Sequence, residues 1–158
     1  MILDKLNQFA SNVSVAASAG TAQVGDVMDL GLTPQDLGNG KPMYLVIVGG
    51  DTAIITGGSA GTIQFELASD AQPAIATNGT ASTHLQTGAF ATDDAALTAI
   101  NVGTNVFMGA LPTGAGVAYE RYLGVLVKTG TTTTTAGTIT AFLTFDPSAW
   151  KAYADGAS

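Results

Sequence analysis

Short runs of β-branched and apolar residues recur along the whole chain, each bounded by Gly, Pro, Asn or Asp. Such punctuation predicts an all-β sandwich or barrel built from about eight short strands. Residues 24–30 open the series, and a turn-rich link over 31–42 follows. Residues 43–48 are continuously apolar, the pattern of a central strand covered on both faces, and Gly49, Gly50 and Asp51 end the run. Residues 62–68 alternate, with Ile63, Phe65 and Leu67 on one face and Gln64 and Glu66 on the other.

Residues 83–87 and 105–111 are shorter candidates, the second closed by Pro112 and the glycines at 114 and 116. The strongest pair is 119–128 and 137–145. In the later run Ile139, Ala141, Leu143 and Phe145 alternate with Thr138, Thr140, Phe142 and Thr144. Joined by threonines at 131–135, the two runs read as a hairpin with a long, mobile tip. Helical signals are thin. Residues 93–100 admit two turns, with Thr92 as N-cap and Asp93 and Asp94 favourably placed near a helix N-terminus. An irregular segment fits them equally well.

At 158 residues the chain suits one domain that buries a core without disulfides or a metal. Charged residues are only 11% of the chain, against about 25% in an ordinary soluble domain. So few charges cover a free monomer poorly, which favours an assembled protein. The net charge of −7 and only five Lys and Arg argue against nucleic-acid binding, which requires clustered cations. An anionic membrane surface is disfavoured on the same ground, and the apolar run 43–48 is too short to span a bilayer. The N-terminus lacks a secretory pattern, because Asp4, Lys5 and Asn7 interrupt its apolar residues. Absence of cysteine removes disulfides, thiol catalysis and cysteine-ligated metals together.

Several motifs match catalytic patterns in the wrong context. Gly57, Ser59 and Gly61 satisfy G-x-S-x-G, yet lead into a strand rather than a helix, so a glycine-rich loop is the expectation. Ser148 with Lys151, and Lys128-Thr129-Gly130, match elements of penicillin-recognising enzymes, but in reversed chain order and without S-D-N. His84 is the single histidine, and the nearest acids in sequence, Asp70, Asp93 and Asp94, are distant along the chain. A hydrogen-bonding surface or interface role is expected of it. Asp26 with Asp29, and Asp93 with Asp94, lack a calcium-loop context. Asn78-Gly79 reads as a turn, and Glu120 and Arg121 as strand-start charges pointing to opposite faces. No catalytic residue, cofactor or metal is expected.

Three segments carry a family resemblance: M-I-L-D-K-L at 1–6, V-M-D-L-G at 27–31, and D-L-G-N-G-K-P-M-Y-L-V-I-V at 36–48. They resemble the N-terminal half of the small jelly-roll cement proteins of tailed-phage capsids. R-Y-L-G-V-L-V at 121–127 and G-T-I-T-A-F-L from 137 are similar to that family's last hairpin. The middle, 70–104, matches nothing recognisable.

The resemblance implies a jelly-roll β-sandwich at 21–146, an N-terminal arm and linker at 1–20, and a C-terminal tail at 147–158. It implies a non-enzymatic homotrimer, made in the host cytoplasm, on the outer surface of the virion capsid, clamping neighbouring major capsid protein subunits. Candidate interface residues are Ile2, Leu3, Leu6 and Phe9 of the arm, which a lone sandwich gives little to cover. Trp150 and Tyr153 of the tail are also candidates, with capping the sandwich core as their simpler role. The alternative is a jelly-roll carbohydrate-binding or receptor-binding module, for which one Trp and four Tyr are a sparse supply of sugar platforms.

Overall fold

The computed structural model describes residues 4–32, 37, 40–56, 60–92, 100–113 and 116–149. Eleven strands are seen among them: β1 (Gln8–Ser14), β2 (Gly20–Asp29), β3 (Tyr44–Gly49), β4 (Ile55–Thr56), β5 (Thr62–Asp70), β6 (Ser82–Gln86), β7 (Phe90–Ala91), β8 (Asn105–Ala110), β9 (Tyr122–Gly130), β10 (Thr134–Ala136) and β11 (Thr138–Thr144). Eight are long. They form two antiparallel sheets, β1-β11-β3-β8 and β2-β9-β5-β6, with β7 added beside β5. The short strands β4 and β10 pair as a separate ribbon.

Among the eight long strands, the first, last, third and sixth share one sheet, and the second, seventh, fourth and fifth share the other. That order is the jelly roll. The alternation of residue types explains why the sheets stack. On β3, Leu45 and Ile47 face the main core with Ile139, Ala141 and Leu143 of β11. From the opposite sheet, Ile63, Phe65 and Leu67 of β5 and Leu123, Val125 and Val127 of β9 meet them. The intervening residues Val46, Val48 and Phe142 form a second buried cluster on the other face of the first sheet. This is why β3 reads as continuously apolar. On the far face of the second sheet, Ile75 covers Ala68 and Leu126, drawing the 71–81 loop across the strands.

Two expectations need correction. Residues 8–14 are no arm: they form β1, paired to β11, and Phe9 lies in the main core at 1% exposure. The strand escapes a period-two reading because the ladder shifts on either side of Ala10, between Gln8 and Ala10 and between Ala10 and Val13, and Asn12 takes φ 53°. Asn12 is held there by Asp51, whose backbone N–H donates to Asn12 Oδ1 and whose carboxylate accepts from Asn12 Nδ2. The second correction concerns β9 and β11, which lie in opposite sheets and form no hairpin. Their link is no free tip either. Thr134 is buried, pairs with Thr56 of β4, and exchanges two backbone hydrogen bonds with Ala17. Of residues 93–100, read as a helix or an irregular segment, 93–99 lie outside the described residues, and Ile100 forms an isolated β-bridge with Ile54; Gly57 and Ser59 of the glycine-rich loop also lie outside them.

Candidate functional site: the apolar end of the sandwich

The antiparallel registers place the start of β1, the end of β2, the start of β3, the end of β8, the start of β9 and the end of β11 at one end of the sandwich. Four of the six large apolar side chains most exposed among the described residues belong here: Leu6, Leu32, Val117 and Phe145. Leu6 and Leu32 are 80% and 87% exposed. Of the other two, Val102 belongs to the opposite end and Met108 to the edge strand β8. Scattered single apolar residues are ordinary on a surface, but a concentration at one end is informative.

Local structure holds these side chains outward. Leu6 sits on a 3-10 turn, Lys5–Asn7, whose N-cap Asp4 accepts the Leu6 N–H at 3.0 Å. Beside it runs a groove lined by Lys5, Leu6, Asn7, Asp26, Val27 and Met28, among others. Leu32 follows Gly31, which takes φ +90° as β2 ends, and Asp29 Oδ1 accepts the Gly31 N–H. Lys41 Nζ lies 5.1 Å from the Phe145 ring centre. Arg121 donates twice to Asp29, at 3.0 and 2.8 Å, so these two charges neutralise each other. The Arg121 guanidinium, and next the Gly31 N–H, hold the Asp29 carboxyl at about 2, below its ordinary value. Glu120 turns instead to Ser82, whose hydroxyl donates to it at 2.7 Å. Glu120 and Arg121 therefore precede β9 rather than begin it, and their side chains reach different partners.

Beneath this end lies a polar cluster that no sequence spacing announces. His84 is the extra residue of a bulge in β6, where the register against β5 slips between Leu67 and Ala68. Its ring stacks on Tyr119, with centroids 3.9 Å apart, and its Nε2 lies 2.7 Å from Ser69 Oγ. Ser69 Oγ also accepts the Glu120 N–H at 3.0 Å. Burial pushes the His84 imidazole below its ordinary value, against a smaller opposing pull from the Glu120 carboxylate. Burial also pushes the Tyr119 phenol up to about 12, and its hydroxyl donates to the Pro112 carbonyl at 2.7 Å.

Ser69, His84 and Glu120 are the residue types of a hydrolytic triad, but the arrangement differs. Ser69 is fully buried, its oxygen already accepts a backbone N–H, and Glu120 binds Ser82. No nucleophile faces a substrate here. Among the described residues no group of three or more His, Asp or Glu side chains converges as a metal site would require.

Of the six sequence-derived interface candidates, Leu6 is fully presented and Phe9 is withdrawn into the core. Ile2, Leu3, Trp150 and Tyr153 lie outside the described residues. Leu32, Val117 and Phe145 were not singled out. Leu32 and Val117 carried a usable signal, since each is a large apolar side chain inside a turn-rich, glycine-bearing segment. A separate cleft of about 300 Å³, between the second sheet and the 71–81 loop, is lined by Thr21, Glu66, Thr83, Gln86 and Lys128, with no aromatic ring among its described lining.

Two antiparallel sheets in jelly-roll order, closed over one core, place the molecule among the all-β sandwich proteins. Within that class, the model of the Bbp16 family matches residues 9–143, and the chain belongs to the Bbp16 family. The match runs from the second residue of β1 to the penultimate residue of β11 and so takes in nearly the whole sandwich. No curated protein matches the chain.

Proposed function

We propose that this chain is a capsid cement protein of a tailed phage, acting without enzymatic chemistry or a cofactor. The observation that carries the reading is the apolar end, where Leu6, Leu32, Val117 and Phe145 face outward around a neutralised Asp29–Arg121 pair. Desolvating a paired Asp29–Arg121 costs less than desolvating either charge alone, and the apolar side chains around it favour burial against another protein. The jelly-roll order and the matched segments at 1–6, 27–31 and 36–48 support the same reading, as does a composition poor in charge.

In this reading the chain occupies the outer surface of the virion as a homotrimer, after synthesis in the host cytoplasm. Its apolar end sits across neighbouring major capsid protein subunits. Binding the assembled shell more tightly than separated subunits shifts the equilibrium toward the intact shell, by the linkage that stabilises any state a ligand prefers. No nucleic acid and no membrane enters the mechanism.

The test is co-sedimentation of the purified protein with empty capsids of the cognate phage, alongside light scattering of the protein alone. Saturable co-sedimentation, weakened in a Leu6→Ser/Leu32→Ser variant whose melting temperature is unchanged, is the expected result. A monomer that stays in the supernatant would refute it.

A further inference from the structure

Residues 116–121 lead into β9 at the apolar end and are fastened there by the His84 cluster. Tyr119 stacks on the imidazole, and the Glu120 N–H reaches Ser69 Oγ, which in turn meets His84 Nε2. The Glu120 carboxylate then takes the Ser82 hydroxyl from β6. Three elements, β5, β6 and residues 116–121, thus meet at one histidine.

Proton counting fixes the state of that histidine. A serine hydroxyl has one hydrogen to give. Ser69 Oγ accepts from the Glu120 N–H, so its own hydrogen completes the network by going to an unprotonated Nε2. The neutral imidazole with its proton on Nδ1 gives the Ser69 hydrogen its acceptor. An imidazolium does not. It would direct Nε2–H at Ser69 Oγ, leaving the serine hydrogen without an acceptor among the described residues in a fully buried site.

We infer that His84 is a proton-operated latch: neutral, it fastens residues 116–121, which lead into β9, onto β5 and β6, and protonated, it releases them. The groups facing it agree. From β5 comes Ser69, while the neighbouring Asp70 carboxylate is committed to the Gln72 and Ala76 N–H groups. From β6 comes Ser82, and from residues 116–121 come Tyr119 and Glu120, while Arg121 is committed to Asp29. Glu120 alone favours the imidazolium, and burial outweighs it. With the folded value below the ordinary 6.5, the latch is complete above that pH and is lost as pH falls through the folded value.

The experiment is amide hydrogen exchange on the full chain at neutral and mildly acidic pH, corrected for intrinsic exchange rates, with a ¹⁵N titration of the imidazole. Acid is expected to strip protection selectively from 116–121, reversibly, while β3 and β9 stay protected. His84→Gln, whose amide oxygen still accepts the Ser69 hydrogen without titrating, is expected to abolish that pH dependence. Equal protection at both pH values, or the same acid loss in His84→Gln, would overturn the latch. So would a wild-type imidazole protonated at Nε2 when neutral, or titrating at or above 6.5, and this readout needs no variant to fold.

Discussion

Replacing Phe9 by Ala separates two views of the N-terminal segment. If residue 9 belonged to an arm docked on a neighbour, its truncation would leave the monomer fold untouched and weaken association. The structure instead encloses Phe9 in the main core at 1% exposure, on a strand hydrogen-bonded to β11. Truncating a buried Phe to Ala costs about 3–5 kcal/mol, from lost transfer energy and the cavity left behind. For a domain near this size each kcal/mol lowers the melting temperature by roughly 2–4 °C. The expected fall is therefore roughly 6–20 °C in calorimetry or circular dichroism, at fixed protein concentration. Light scattering should show the oligomeric state unchanged. A melting temperature within about 2 °C of wild type, with association lost, would refute the core assignment.

Other positions give sharper local tests. At Gly25, φ is +68° and an added Cβ would lie 2.1 Å from the Phe9 carbonyl oxygen, so Gly25→Ala should cost at least about 2 kcal/mol by urea denaturation. Gly88→Ala, with nothing within 4 Å, should stay within about 0.5 kcal/mol of wild type in the same assay. Thr132 Oγ1 is buried without a hydrogen-bond partner among the described residues, so Thr132→Val should be neutral or stabilising by up to about 1 kcal/mol in thermal melts. Asp29 titrates at about 2 in the fold against an ordinary 3.8, so its contribution is present above 3.8 and lost as pH falls toward 2. Asp29→Asn should flatten that part of the acid stability profile, by a small amount because the pair is exposed to solvent.

The sequence revealed strands far better than their partners. Ile63, Phe65 and Leu67 announced β5, and the unbroken run to Val48 announced β3, because side-chain period and burial leave a local trace. Whether the next strand lies alongside or crosses to the other sheet leaves none. The segments forming β9 and β11 therefore read as a hairpin although β10 and its ribbon stand between them. Phe9 and Leu6, three residues apart in one apolar pattern, were indistinguishable until the Lys5–Asn7 turn set one outward and β1 took the other inward. The cluster of Ser69, His84 and Glu120 was out of reach because its members come from three segments and His84 is turned inward by a bulge. Nothing in their spacing marks such a meeting.

The jelly-roll order also dictates when this molecule can finish folding. Among the described residues, the only long strands that pair with a sequence neighbour are β5 and β6. Among them too, β1 pairs within its sheet only with β11, and the hydrogen bond from Asn12 to Thr140 spans 128 residues. The first of the described strands thus waits for the eleventh. Until β11 arrives, β1 has no ladder partner among the described residues and β3 has one bare side, so closure waits on β11 and proceeds slowly, as non-local pairing does. β11 acts as a keystone, and a nascent chain is committed to the sandwich only once residues 138–144 have emerged.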